Sequence, residues 1–242
     1  GDQGQGHRHR IVGEAFTDVD IATGYYKQVM EFAMESFFAI EPTKSYREYF
    51  NVHMVYAVSR DAYIGAFDSG GQTALGVQTE NSRQWFYIYT AQQRLESYYR
   101  LPVLAYERPV HSVGIVINGV KGGVTYMREP ISGPNFAFTG YVYGGRKMSM
   151  GTFIHETEAA GHAFGLLGDE YSTSGFDPGQ PFEIPDYEAT RLRNEQKKGW
   201  YLNLSLTSDP KSVYWAHLTD IRDTPMWVCS RRILLCIWGL AI

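Results

Sequence analysis

The chain of 242 residues is short of cysteine, of long apolar runs and of concentrated charge. Its two cysteines, Cys229 and Cys236, both lie near the C-terminal end. That excludes a disulfide framework for the body of the chain and a zinc site built on thiolates. The longest strongly apolar run, Ile233–Ile242, is too short to span a bilayer. Net charge is −4 and no run of Lys or Arg occurs, so a nucleic-acid groove is not expected. Neither an initiating Met nor a secretory leader stands at the start, so the chain reads as a fragment or a processed form. No internal repeat or linker occurs, and the chain is expected to be a single domain over 1–242.

What is present is a globular composition: 44% hydrophobic and 20% charged residues, enough to build a sizeable core. Tyrosine is abundant, and its default role is to fill a core with a polar handle. Ile11–Phe16, Phe50–Val58, Ala74–Thr79, Val113–Val120, Val124–Arg128 and Phe136–Tyr143 read as strands. Asn118–Gly119 marks a turn after the fourth of these. Apolar residues at 3–4 spacing predict a helix over Ile21–Ile40, capped by Asp18 or Asp20 and closed by Pro42. Ala91–Tyr99, Met148–Leu167 and Tyr187–Lys198 read as further helices. The order lacks a regular strand–helix beat, which predicts an α+β fold with a mixed sheet and the Met148 helix packed on it.

Chemistry concentrates in Phe153–Tyr171, FIHETEAAGHAFGLLGDEY. A zinc hydrolase needs three protein ligands, an open position for water and a carboxylate beside that water. The usual helical device is H-E-x-x-H. Here His155-Glu156 is followed by His162 at i+7, two turns on, a separation of roughly 10.5 Å that a bulge in the helix would have to absorb. In a second register His155, Glu158 and His162 form one stripe, with Ala159 where the general base belongs. Gly165, three residues past His162, is expected to end the helix in a left-handed turn and return a third ligand. Asp169 or Glu170 would serve, and Asp169 is favoured.

GHAFGLLGDEY resembles the motif of the IgA peptidase family, metallopeptidase family sixty-four of the Bacteroides type. VGEAFTDVDIATGYY, FFAIEPTKSYREYFNVHMVYAVS, TALG and GWYLNLSLTSDPKSVYWAHL resemble the family in the same order, so the likeness covers about residues 11–220. It implies a zincin-like (metzincin-like) domain that binds Zn2+, is secreted or cell-surface, and acts on a protein or peptide substrate. By motif position it implies His155 and His162 as metal ligands and Glu156 as the catalytic carboxylate, which activates water and returns the proton to the leaving amine, while Asp169 falls in the family's DEY element and is the candidate third ligand. Thr157–Ala160 is where the spacing departs from the family. The alternative is a non-catalytic relative that binds protein or glycan, with metal absent or held structurally by His155, Glu158 and His162, or a truncated product without function.

Residues 1–10 and about 222–242 do not resemble the family. Both can be re-read in a shifted frame as family-like segments, so frameshifts at both ends are expected. On that reading His7 and His9 belong to an accidental, solvated tail, and Met226 is a poor substitute for a methionine beneath the metal. His53, His111 and His217 have the default role of ordinary structural histidines. Tyr171 packs behind the helix or orients a ligand. Asn203-Leu-Ser is a glycosylation sequon only in a eukaryotic secretory context.

Overall fold

The computed structural model describes residues 6–41, 43–66, 71–79, 86–87, 92–99, 110–120, 122–126, 135–141, 162–168, 186–206, 212, 226–228 and 235–237. They belong to two compact units, Gly1–Phe164 and Gly165–Ile242. The first is built on a five-stranded mixed sheet in the order β2-β1-β6-β8-β7. Its strands are β1 (His7–Glu14), β2 (Phe50–Val55), β6 (Ser112–Asn118), β7 (Gly123–Tyr126) and β8 (Asn135–Tyr141). All neighbours are parallel except β7, which runs antiparallel to β8 at one edge. A smaller sheet holds β3 (Gly65–Ala66), β4 (Gln78–Thr79) and β5 (Phe86–Tyr87), and α3 (Gln92–Tyr99) follows it in the chain.

Both faces of the main sheet are covered, as parallel strands require. Val12, Val55, Val113, Ile115, Ile117, Phe136 and Phe138 build one core. Ile11, Val116 and Tyr141 build the other with α2 (Tyr25–Phe37). The predicted helix over Ile21–Ile40 is in fact two: α1 (Asp18–Ala22) and α2, separated by Thr23 and Gly24, whose φ is +78°. Thr17, rather than Asp18 or Asp20, caps α1, and Asp20 completes a capping box by accepting from the Thr17 backbone N–H at 2.7 Å. Tyr26, Val29, Met30, Ala33 and Phe37 recur at helical spacing and are all buried. Each large apolar side chain so buried contributes about 1.5–3 kcal/mol.

Tyr26 locks α2 to the sheet. Its hydroxyl accepts from the Gly13 N–H at 2.9 Å and donates to the Val55 carbonyl. Position 13 has to be glycine, because a β-carbon there would collide with the Tyr26 ring. Burial pushes the Tyr26 phenol up to about 12, so it stays a donor at any working pH.

The first half of β1 departs from expectation. His7–Arg10, read as a solvated tail, pairs in register with Phe50–His53 of β2. His9 is fully buried, stacked on Phe37 at 5.0 Å, with Nδ1 2.7 Å from the Ser112 hydroxyl. The second unit holds a helix, Asp186–Lys197, close to the expected Tyr187–Lys198, and an antiparallel pair, β9 (Met226–Val228) and β10 (Leu235–Ile237).

Candidate metal centre

The chain leaves β8 and re-enters the described residues as α4 (His162–Gly165). His162 is half-buried in the first turn of α4, the one member of the expected donor set among the described residues. Asn135, the first residue of β8, donates from Nδ2 to the Ala163 carbonyl at 2.8 Å and ties that turn to the sheet. Because Tyr126 of β7 lies one step along, opposite Phe136, this tie fixes His162 near one end of the β7–β8 edge pair. His155, Glu156 and Asp169, together with Glu158, Glu170 and Tyr171, lie outside the described residues, as do residues 148–161 of the expected helix, whose described end is Gly165 and not Leu167. Among the described residues no group of three His, Cys, Asp or Glu side chains converges.

In the second unit the chain turns at Leu166–Gly168. The left-handed residue is Leu166, with φ +56°, and not Gly165. A side chain in that region costs about 1 kcal/mol or more. The cost is offset where the Leu166 carbonyl accepts from the Tyr201 N–H at 2.8 Å. Gly168 is the glycine that packing demands, since a β-carbon there would lie 2.6 Å from Leu204 Cδ1 and 2.9 Å from Tyr201 Cδ1. Asn203, buried beneath the turn, accepts from the Gly168 N–H at 2.8 Å and donates to the Gly168 carbonyl at 2.9 Å. Gln196 on α5 (Asp186–Lys197) donates to the Tyr201 and Leu204 carbonyls at 3.3 and 2.7 Å and holds the 201–204 segment in place. The residue directly after this braced glycine is Asp169.

The other described histidines gather around the start of β1. His7 stacks on His111 at 4.3 Å, and His111 Nδ1 accepts from the Arg8 N–H at 3.1 Å. Burial, reinforced by His111, pulls His7 down to about 4. Burial pulls His9 to about 3. His53 and His111 are lowered by burial first and then by nearby arginines, Arg10 and Arg8 for His53 and Arg8 for His111. Burial favours the neutral form of the ring at all four positions. His217 lies outside the described residues.

Two positions escaped the sequence reading. Asn135 gave no signal, because its partner is a backbone carbonyl far along the chain. Asn203 was visible only as a sequon, and with its amide buried against Gly168 it is closed to glycosylation.

The family model described as IgA Peptidase M64 matches residues 1–228, a span that includes His155-Glu156, His162 and Asp169. A comparison with curated proteins finds no match.

Proposed function

The chain belongs to the IgA peptidase M64 family, a family of metallopeptidases acting on proteins or peptides, and on that premise we propose that it is a zinc-dependent endopeptidase. The observation that carries the proposal is the family match running through the whole HETEAAGHAFGLLGDEY segment. The donor set fits the metal. Two imidazoles, His155 and His162, and one carboxylate, Asp169, are the ligand types of a catalytic zinc site that keeps a position open. Zinc there supplies a Lewis acid that polarises the scissile carbonyl and acidifies water.

The remaining work falls to the chain. Glu156 takes the proton from the attacking water and gives it to the departing amine, so peptide-bond cleavage ends with no net proton gained or lost. Asn135 holds the turn of His162 against β8. The mixed sheet, with its single antiparallel strand at the edge next to β8, supports a zincin-like architecture. A secreted or cell-surface location goes with the same family reading. No described helix is long and apolar enough to cross a membrane.

The spacing of His155 and His162 favours one competing reading, a relative that keeps metal without catalysis. Glu156→Gln separates the two. The proposal expects cleavage of an unstructured protein such as casein to fall by about 10²–10⁴-fold, the usual contribution of a positioned acid–base group, with zinc retained. Unchanged cleavage removes Glu156 from its role, and a wild-type chain that holds zinc but cleaves nothing favours the binding relative.

A further inference from the structure

We propose that a cleft beyond the carboxyl ends of β1 and β2 is a binding site for an acidic peptide segment, held by Arg60 and Arg94. The cleft encloses about 500 Å³, within the roughly 300–1,000 Å³ of an ordinary ligand site. Val58 and Arg60 line it from the chain that follows β2, and Arg94 lines it from α3. Gln72, Thr73 and Gln78 line it from the segment that runs into β4. Open parallel sheets carry their ligands outside the carboxyl ends of the strands. The turn of His162 is tied to Asn135, at the amino end of β8 and so at the other end of these parallel strands. The cleft is therefore a second site, and the proposal stands whether or not the chain cleaves peptides.

Its walls are held by the fold itself. Ser59 donates its N–H to the Phe16 carbonyl at 2.7 Å, and its hydroxyl oxygen accepts from the Ala15 and Ala74 N–H groups at 3.1 and 3.0 Å. The Gln72 carbonyl accepts from the Arg60 and Asp61 N–H groups at 2.9 and 3.1 Å. Charge on the described lining has one sign. Arg60 Nη1 donates to the Gln72 side-chain oxygen at 2.9 Å, a neutral partner. Among the described residues neither Arg60 nor Arg94 has a carboxylate to pair with. The acidic groups close by are engaged elsewhere: Asp61 accepts from the Gln72 N–H at 2.7 Å, and Glu14 from Thr73, Leu75 and Val77. Two guanidinium forks suit the planar carboxylates of Asp or Glu side chains. The Gln72 and Gln78 amides offer both donors and acceptors, as a peptide backbone requires, and exposed Val58 offers apolar surface to side-chain methylenes. A small inorganic anion would use the arginines alone, so an acidic peptide fits the lining better.

The test is the fluorescence anisotropy of a labelled tetraglutamate peptide titrated with the full chain. Wild type is compared with Arg60→Met, Arg94→Met and the double variant, which keep the apolar stems and remove the charges. Arg191→Met, which removes an exposed charge from the Asp186–Lys197 helix, is the control for general attraction. The expected result is saturable binding that weakens as salt is added, by roughly 3–10-fold in each single cleft variant and further in the double variant. Arg191→Met and the melting temperatures of the cleft variants are expected to stay at wild-type values, and a tetraglutamine peptide to bind far more weakly. No binding of tetraglutamate by the wild type overturns the proposal. So does unchanged affinity in the double variant, an equal loss in Arg191→Met, or equal binding of tetraglutamine. Inorganic phosphate that displaces the peptide at matched concentration overturns the peptide assignment and leaves a small-anion site. If Arg60→Met does not fold, Arg94→Met decides alone, and wild-type affinity there is the overturning result.

Discussion

Arg10 is the side chain least suited to its place. It lies in a central strand, flanked by β2 and β6, and is only 2% exposed. Among the described residues its Nε and Nη1 have no hydrogen-bond partner. Burial, and then the neighbouring Arg8, lower its pKa, so the sheet works against the charge it encloses. Even a well-paired buried charge is often replaced by an apolar group with a gain of about 1–4 kcal/mol. Arg10→Leu is therefore expected to raise unfolding stability by at least about 1 kcal/mol, measured by urea denaturation at unchanged slope. A loss of stability would mean that Arg10 has a partner outside the described residues. The same misfit explains why the sequence hid the start of β1: nothing in HRHR signals a buried strand, and only pairing to Phe50–His53 and Ser112–Val113 reveals it.

At the scale of elements, Glu14 closes β1 as a staple for the loop that follows β3. Its Oε1 accepts from the Thr73 hydroxyl at 2.6 Å and the Val77 N–H at 2.8 Å, and its Oε2 from the Leu75 N–H at 2.8 Å. Glutamine has one oxygen, so Glu14→Gln sets an NH2 group against a backbone donor and is expected to cost about 1–3 kcal/mol. Burial raises the Glu14 pKa despite these hydrogen bonds. A raised folded pKa gives stability that is whole below the unfolded value and is lost as pH climbs through the folded one. The gap between wild type and Glu14→Gln should therefore narrow as pH rises from 4 toward neutrality, read from thermal melts across that range. A gap that widens would reverse the sign assigned to burial.

Local signals carried much of the element map. β6 and β8 fall within a residue or two of expectation, because continuous apolar runs mark buried strands, and α3 and the Asp186–Lys197 helix follow their periodicity. Pairing was not legible. Gly119 does turn, with φ +79°, but the strand it leads to pairs with β8 and not with β6. Parallel neighbours join residues about a hundred positions apart, as His9 and Ser112 are, and no local pattern encodes that. Likewise Gly165 predicted the place of the turn after His162 but not its residue, since the bond from Tyr201 lets Leu166 take the left-handed conformation.

At the scale of the molecule, the sequence identified the family through GHAFGLLGDEY and the ordered segments around it, and the family match over 1–228 bears that out. The α+β reading holds as a mixed five-stranded sheet with helices. The structure adds two braces that no motif announces. Asn135 secures the turn of His162 in the first unit, and Asn203 secures the turn before Asp169 in the second. Both act on backbone atoms, which leave no mark in sequence. The central claim is that the chain carries a working zinc centre. Its most direct test is the zinc content of the purified chain, read together with casein cleavage before chelation, after chelation and after zinc is restored. The expected result is one zinc per chain and cleavage that vanishes and returns with the metal. Cleavage indifferent to the chelator, or a chain that binds no zinc, would contradict it.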